Sequence, residues 1–168
     1  KMVFFYQAEG GISNSPMTGV QTCALTIYPS AGMMLESTSK ELYAVGGPHE
    51  FAPSKRPAAR LKTIETAGIL KIPFTTGLLI GIGETLDDRI ESLLAIRELN
   101  EEYGHIQEVI IQNFKAKPLT PMEMEPDADT RHMLWTVSVA RLILGPHVNI
   151  QVPPNLSADN YQMYLQAG

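Results

Sequence analysis

One run of residues, Pro73-Phe-Thr-Thr-Gly-Leu-Leu-Ile-Gly-Ile-Gly-Glu84, constrains the fold of this chain more than any other. Phe74 to Ile80 is nearly continuous in apolar and β-favouring residues, which predicts a strand covered on both faces. Gly81 and Gly83 then allow a tight backbone turn and leave room for a flat ligand against the main chain. Thr85 reads as a helix N-cap, with Asp87 and Asp88 in the first turn, where the helix dipole favours negative charge. Strand, glycine turn and capped helix are how α/β enzymes place a ligand at the carboxyl ends of their strands. The run is not the dinucleotide fingerprint, because Leu86 stands where G-x-G-x-x-G needs its third glycine. A plain connecting turn with an accidental glycine pair is the alternative.

The rest of the chain alternates strand and helix patterns, which predicts an α/β fold with a parallel sheet or partial barrel. Met33 to Glu36 reads as a strand end. A helix is predicted over 55–70, with Pro57 in its first turn and Leu61, Ile64 and Ala67 or Gly68 inward. Another runs from Thr85 to about Glu102, with Leu86, Ile90, Leu93, Leu94 and Arg97 at helical spacing, and ends at Gly104. Glu108 to Phe114 is a Val/Ile-rich strand. Asp129 to Leu144 is a helix with Met133, Val137, Ala140 and Leu144 inward, stopped by Gly145-Pro146. Val148 to Val152 is a short strand closed by Pro153-Pro154, and Asp159 to Gly168 begins a further helix.

Composition narrows the partners. The formal charge of −5 is well mixed and contains no basic run, which argues against nucleic acid. No apolar stretch is long enough to span a bilayer, and the expected compartment is cytoplasmic. The four histidines, His49, His105, His132 and His147, lack metal-ligand spacing. Glu123, Glu125, Asp127 and Asp129 surround Pro126 ahead of a helix and read as a solvated loop with caps. Lys115 and Lys117 read as solvated, the lesser alternative being that one reaches an anionic or carbonyl group. Thr75 and Thr76, at the start of their strand, read as structural.

Three groups of residues are candidates for binding. Glu36 closes a strand at the face where barrels place chemistry, unless it is only a surface acid. Gln112 and Asn113 stand near the end of an apolar strand, where alternation lets at most one point inward. Their amides offer both donor and acceptor, as a uracil-like ring requires; a structural hydrogen bond to a loop is the alternative. Gln151 and Asn155 flank Pro153-Pro154 at another strand end, with the same two readings.

Flanking segments extend the pattern. Upstream stand Ala31-Gly-Met-Met-Leu-Glu-Ser-Thr-Ser39, Gly46-Gly-Pro-His49 and Arg60-Leu-Lys-Thr-Ile-Glu65. Downstream come Glu91-Ser-Leu-Leu-Ala-Ile-Arg-Glu-Leu99, the run from Tyr103 to Pro118, and Asn149-Ile-Gln-Val-Pro-Pro-Asn-Leu-Ser157. With the glycine turn, they resemble the radical-SAM half of the FO synthase family over roughly residues 29–168. Radical-SAM enzymes of menaquinone and biotin synthesis share Gly-x-Gly-Glu but not these neighbours.

The resemblance implies the later part of a partial (β/α)₆ barrel. It implies S-adenosyl-L-methionine (SAM) bound near Glu36, Gly81, Gly83 and Glu84, and substrate near Gln112, Asn113, Gln151 and Asn155. It implies a [4Fe–4S] cluster that cleaves SAM reductively. The resulting radical would act on an adduct of tyrosine-derived hydroxybenzyl and ribitylaminouracil. Ring closure and loss of ammonia, a lyase/cyclase reaction, would give the 8-hydroxy-5-deazaflavin chromophore. A second radical-SAM half or subunit is the implied partner. Futalosine cyclase, the partner half itself, or an inert fragment are the other readings.

The family's cluster is held by three cysteines in a CxxxCxxC loop, and this chain has one cysteine, Cys23. The expectation is therefore that the chain holds no cluster and is inactive alone. Cys23 also lies in an anomalous opening. Gln7-Ala-Glu-Gly-Gly-Ile12 and Thr18-Gly-Val-Gln-Thr-Cys-Ala-Leu25 resemble the conceptual translation of a short-read sequencing adaptor. Residues 1–28 are accordingly read as non-native, and 29–168 as a truncated barrel. A secretory leader would need an uninterrupted apolar core, which Gly10 to Ser15 breaks.

Overall fold

A computed structural model describes residues 30–156 and 159–168. The segment 1–28, Cys23 and Ser157 lie outside the described residues. The strand β2 (Phe74–Ile80) forms where the sequence pattern predicts it. It is flanked by β1 (Ala31–Gly32) and β3 (Ile106–Asn113), and β3 in turn by β4 (Asn149–Gln151). All neighbours are parallel, and their spatial order is their chain order. Helices α1 (Pro57–Ile69), α2 (Leu86–Tyr103) and α3 (Thr130–Leu144) connect successive strands, and α4 (Tyr161–Ala167) follows β4. A parallel sheet without reversal of strand order is an arc of a (β/α) barrel rather than a doubly wound sheet.

Strand alternation decides where the core sits. Phe74, Thr76, Leu78 and Ile80 are buried beneath the helices, with Val109 and Ile111 beside them. Ile64 of α1, Leu93 and Ile96 of α2, and Met133 and Val137 of α3 cover that layer. Each such aliphatic side chain contributes about 1.5–3 kcal/mol on burial. The opposite face of β2 carries Thr75 and Leu79, which are half-buried and line a cavity. The expectation of a strand covered on both faces is thus corrected: one face packs on helices, and the other is barrel interior.

Local signals set most boundaries. Thr85 caps α2 through a reciprocal capping box with Asp88. Gly104 ends α2 in the left-handed conformation, and Asp129 caps α3 by accepting from the Arg131 amide. The predicted strand at Met33–Glu36 differs. Regular pairing covers Ala31–Gly32, and beyond it Glu36 makes a single bridge to Leu78. Glu36 has φ +68°, which turns the chain out of the extended conformation, and the intervening Leu35 amide is satisfied by Thr76 Oγ1 at 3.3 Å.

Candidate functional site

The chain leaves β2 through Gly81 (φ +96°) and Gly83 (φ +109°), conformations that side chains disfavour. The two glycines serve different ends. A Cβ on Gly81 would stand 2.8 Å from the Ala128 Cβ, so this glycine admits close packing by the segment leading into α3. A Cβ on Gly83 would meet only Leu42 Cδ2, at 3.6 Å. Gly83 is exposed and keeps the open space expected for a ligand; at Gly81 protein occupies it.

Glu84 folds back onto this turn. Its Oε1 accepts from the Gly81 amide at 2.8 Å and its Oε2 from the Ile82 amide at 2.9 Å. Arg89, from the first turns of α2, brings Nε to 2.9 Å and Nη2 to 2.8 Å of Oε1. The Glu84 side chain is 1% exposed and that of Arg89 3%. Arg89 Nη1 continues to Thr136 Oγ1 on α3 at 3.1 Å, with the His132 carbonyl at 3.4 Å. Two consecutive amides of the turn are therefore occupied from within. Phosphate-binding turns depend on such amides being free, so this ledge suits an uncharged ring better than a phosphate.

Glu36 is neither a surface acid nor a bare strand-end ligand. Its Oε1 lies 3.0 Å from Arg60 Nη1, and its Oε2 lies 2.8 Å from His49 Nε2 and 3.1 Å from Lys55 Nζ. Burial pushes its pKa up, but the His49 hydrogen bond and the charges of Arg60 and Lys55 outweigh that and hold it down at about 2. Arg60 also donates to the Met34 carbonyl, which pins α1 to the segment after β1. Tyr43 packs its ring 5.4 Å from that of His49 and donates its hydroxyl to the Lys55 carbonyl. Burial raises this phenol to about 12. The carboxylate is the hub of a local network.

The four amide candidates come together. Gln112, Asn113, Gln151 and Asn155 all line one cavity of about 730 Å³ inside the sheet's curve, with Lys115 and Lys117 at its rim. Gln112 lies on the inner face of β3 with Ile110 and is half-buried. Asn113 is buried, and its Nδ2 donates to the Leu156 carbonyl at 2.9 Å, tying the segment after β4 to the end of β3. Lys115 is exposed, in keeping with a solvated side chain, and pairs with the exposed Asp127 at 2.9 Å. That hydrogen bond holds the Asp127 carboxyl below its ordinary range. Glu36, Gly81, Gly83 and Glu84 do not line this cavity.

Sequence reasoning missed Arg60, Lys55 and His49 as partners of Glu36, Arg89 as the partner of Glu84, and Thr136 as the anchor of Arg89. One signal was present: Arg89 falls one turn before Leu93 on the helix face that must be inward. Among the described residues, no three His, Cys, Asp or Glu side chains converge as a metal site. Likewise no described helix is long and apolar enough to cross a membrane.

A glycine turn at the carboxyl end of β2, and an amide-lined cavity along the inner face of a parallel sheet, fit a (β/α)-barrel ligand site. No protein-family model matches the chain. Individual relatives do. It is 52% identical over 139 residues to the 7,8-didemethyl-8-hydroxy-5-deazariboflavin synthase of Methanopyrus kandleri, covering 83% of this chain and 41% of that protein. The enzyme of the same name from Methanothermobacter thermautotrophicus is 50% identical over 142 residues, 84% of this chain and 43% of its own length. The FO synthase of Mycobacterium tuberculosis is 54% identical over 144 residues, 84% of this chain and 17% of that protein. The chain is a homologue of the FO synthases, and it spans less than half the length of each of these relatives.

Proposed function

We propose that the chain forms nucleoside and substrate walls of a radical-SAM enzyme that makes the 8-hydroxy-5-deazaflavin chromophore, FO. The substrate would be a tyrosine-derived hydroxybenzyl adduct of ribitylaminouracil, closed to a ring with release of ammonia. The observation that carries this reading is the gathering of Gln112, Gln151 and Asn155 on one cavity beside a glycine turn whose amides are already taken. Amides pair with the alternating donors and acceptors of a uracil ring. The names of the relatives support the same product.

The residues present fit one implied cofactor and not the other. The open face at Gly83, backed by Leu42, fits the nucleoside of SAM, which when bound supplies the reactive adenosyl group. Glu84 and Glu36 act there indirectly: Glu84 shapes the turn, and Glu36 anchors the segment after β1. Asn113 steadies the cavity wall, leaving Gln112 to face the ligand. An iron–sulfur cluster does not fit: it needs several thiolates, and the sequence has one cysteine. The proposed setting is cytoplasmic, with a second radical-SAM half or subunit as partner.

A segment exchange tests the reading. Residues 30–168 replace the homologous segment of the Methanopyrus kandleri synthase, and FO is followed by its absorbance and fluorescence. FO formation is expected. A chimera that folds but makes none, while the parent does, overturns it.

A further inference from the structure

We propose that Arg89 is a positioning residue: anchored on Thr136, it sets the glycine turn and joins it to the loop that walls the substrate cavity. Two contacts bridge the same elements. Arg89 reaches from Glu84, which holds the Gly81 and Ile82 amides, to Thr136 on α3. Ala128, just ahead of α3, packs on Gly81 where no Cβ fits. The Ala128 amide in turn donates to the Phe114 carbonyl at 3.1 Å, closing the base of the 114–128 loop. That loop carries Lys115 and Lys117 at the cavity rim, and Asp127 binds both Lys115 and the Ala116 amide.

The guanidinium is suited to this. It is planar, always charged and multiply donating, so one side chain can hold a carboxylate and a hydroxyl in fixed relation. Thr136 is fully buried and also donates to the His132 carbonyl at 2.7 Å, which aims its lone pairs at Arg89. A shift of α3 would therefore move the turn, and with it the open face at Gly83. The part of the inference that concerns a nucleoside rests on the proposed function; the positioning of the turn does not.

Thr136→Val in the full 168-residue chain tests it, because valine keeps the shape and removes the acceptor. Amide hydrogen exchange is read at Gly81 and Ile82, with Val109 and Ile111 as core references. Binding of S-adenosylhomocysteine is measured by calorimetry. Loss of one hydrogen bond to a charged group predicts about ten-fold faster exchange at the turn and about ten-fold weaker binding, with the core references unchanged. Thr136→Ser should restore both, which a packing defect in α3 would not allow. If Gly81 and Ile82 keep wild-type exchange in Thr136→Val, the positioning role is overturned. Exchange that changes while affinity does not overturns the link to the nucleoside. A wild-type chain that does not bind the probe overturns the nucleoside reading, and exchange alone then decides the role of Arg89.

Discussion

Arg89 holds Glu84 by two nitrogens on one oxygen, Nε at 2.9 Å and Nη2 at 2.8 Å from Oε1, in a setting almost closed to water. That oxygen also accepts from the Gly81 amide. The carboxylate that most resembles a ligand contact in the linear chain is thus the keystone of its own turn.

Breaking this pair from one side should be far worse than removing it whole. Glu84→Ala or Arg89→Ala leaves a buried charge without its counterpart, which costs about 3–5 kcal/mol. The double variant should lose much less than the sum. Urea denaturation of the four proteins gives the coupling directly; additive losses would contradict the buried geometry.

Glu36 predicts a loss of stability in acid. Its folded value of about 2 lies below the ordinary 4.5, so its contribution is fully present above about pH 4.5 and drains as pH falls toward 2. Urea midpoints of wild type and Glu36→Gln between pH 7 and 2.5 should differ most near neutrality and converge at the acid end. A gap that stays constant would show that the charge on Glu36 is not what the network uses.

His105 predicts a second, milder window. It is buried between Phe74 and Tyr103, and its Nε2 lies 2.9 Å from the Ile64 carbonyl. Burial lowers its pKa below 6.5 more than that carbonyl raises it, so the fold favours the neutral ring. The stability this gives is complete above pH 6.5 and declines as pH drops below it. Replacing the ring, His105→Phe, should flatten the slope of stability between pH 7 and 5; an unaltered slope would locate the titration elsewhere.

The glycines should separate by what they face. Gly77→Ala would drive a methyl to 2.1 Å from the Ile110 carbonyl oxygen, a backbone atom that cannot yield, and should break the β2–β3 pairing. Gly83→Ala meets open space and carries only the strain of φ +109°, about 1–3 kcal/mol. Thermal melting should rank Gly77→Ala well below Gly83→Ala. The latter, if the ledge holds a nucleoside, should lose S-adenosylhomocysteine binding while still folded.

Periodic elements were legible in the chain. Met133, Val137, Ala140 and Leu144 all face inward on α3, as their spacing requires. On α2 the expected stripe of Leu86, Ile90, Leu93, Leu94 and Arg97 is displaced, and Arg89, Ser92, Leu93 and Ile96 are buried instead. Apolar spacing misleads there because two polar residues on the inner face are satisfied by partners far away in sequence. Ser92 Oγ accepts from the Thr38 amide at 2.9 Å, and Arg89 reaches Thr136.

The order of strands and helices, the capped start of α2 and the glycine turn follow from local preference and alternation, which act over a few residues and are written in the linear text. What Glu36 and Glu84 actually touch does not. Their partners are 13 to 24 residues away for Glu36, and the Glu84–Arg89 contact gains its anchor 47 residues further on. A charge removed from water takes whichever counter-charge the packing brings within reach, and only folding in three dimensions selects it.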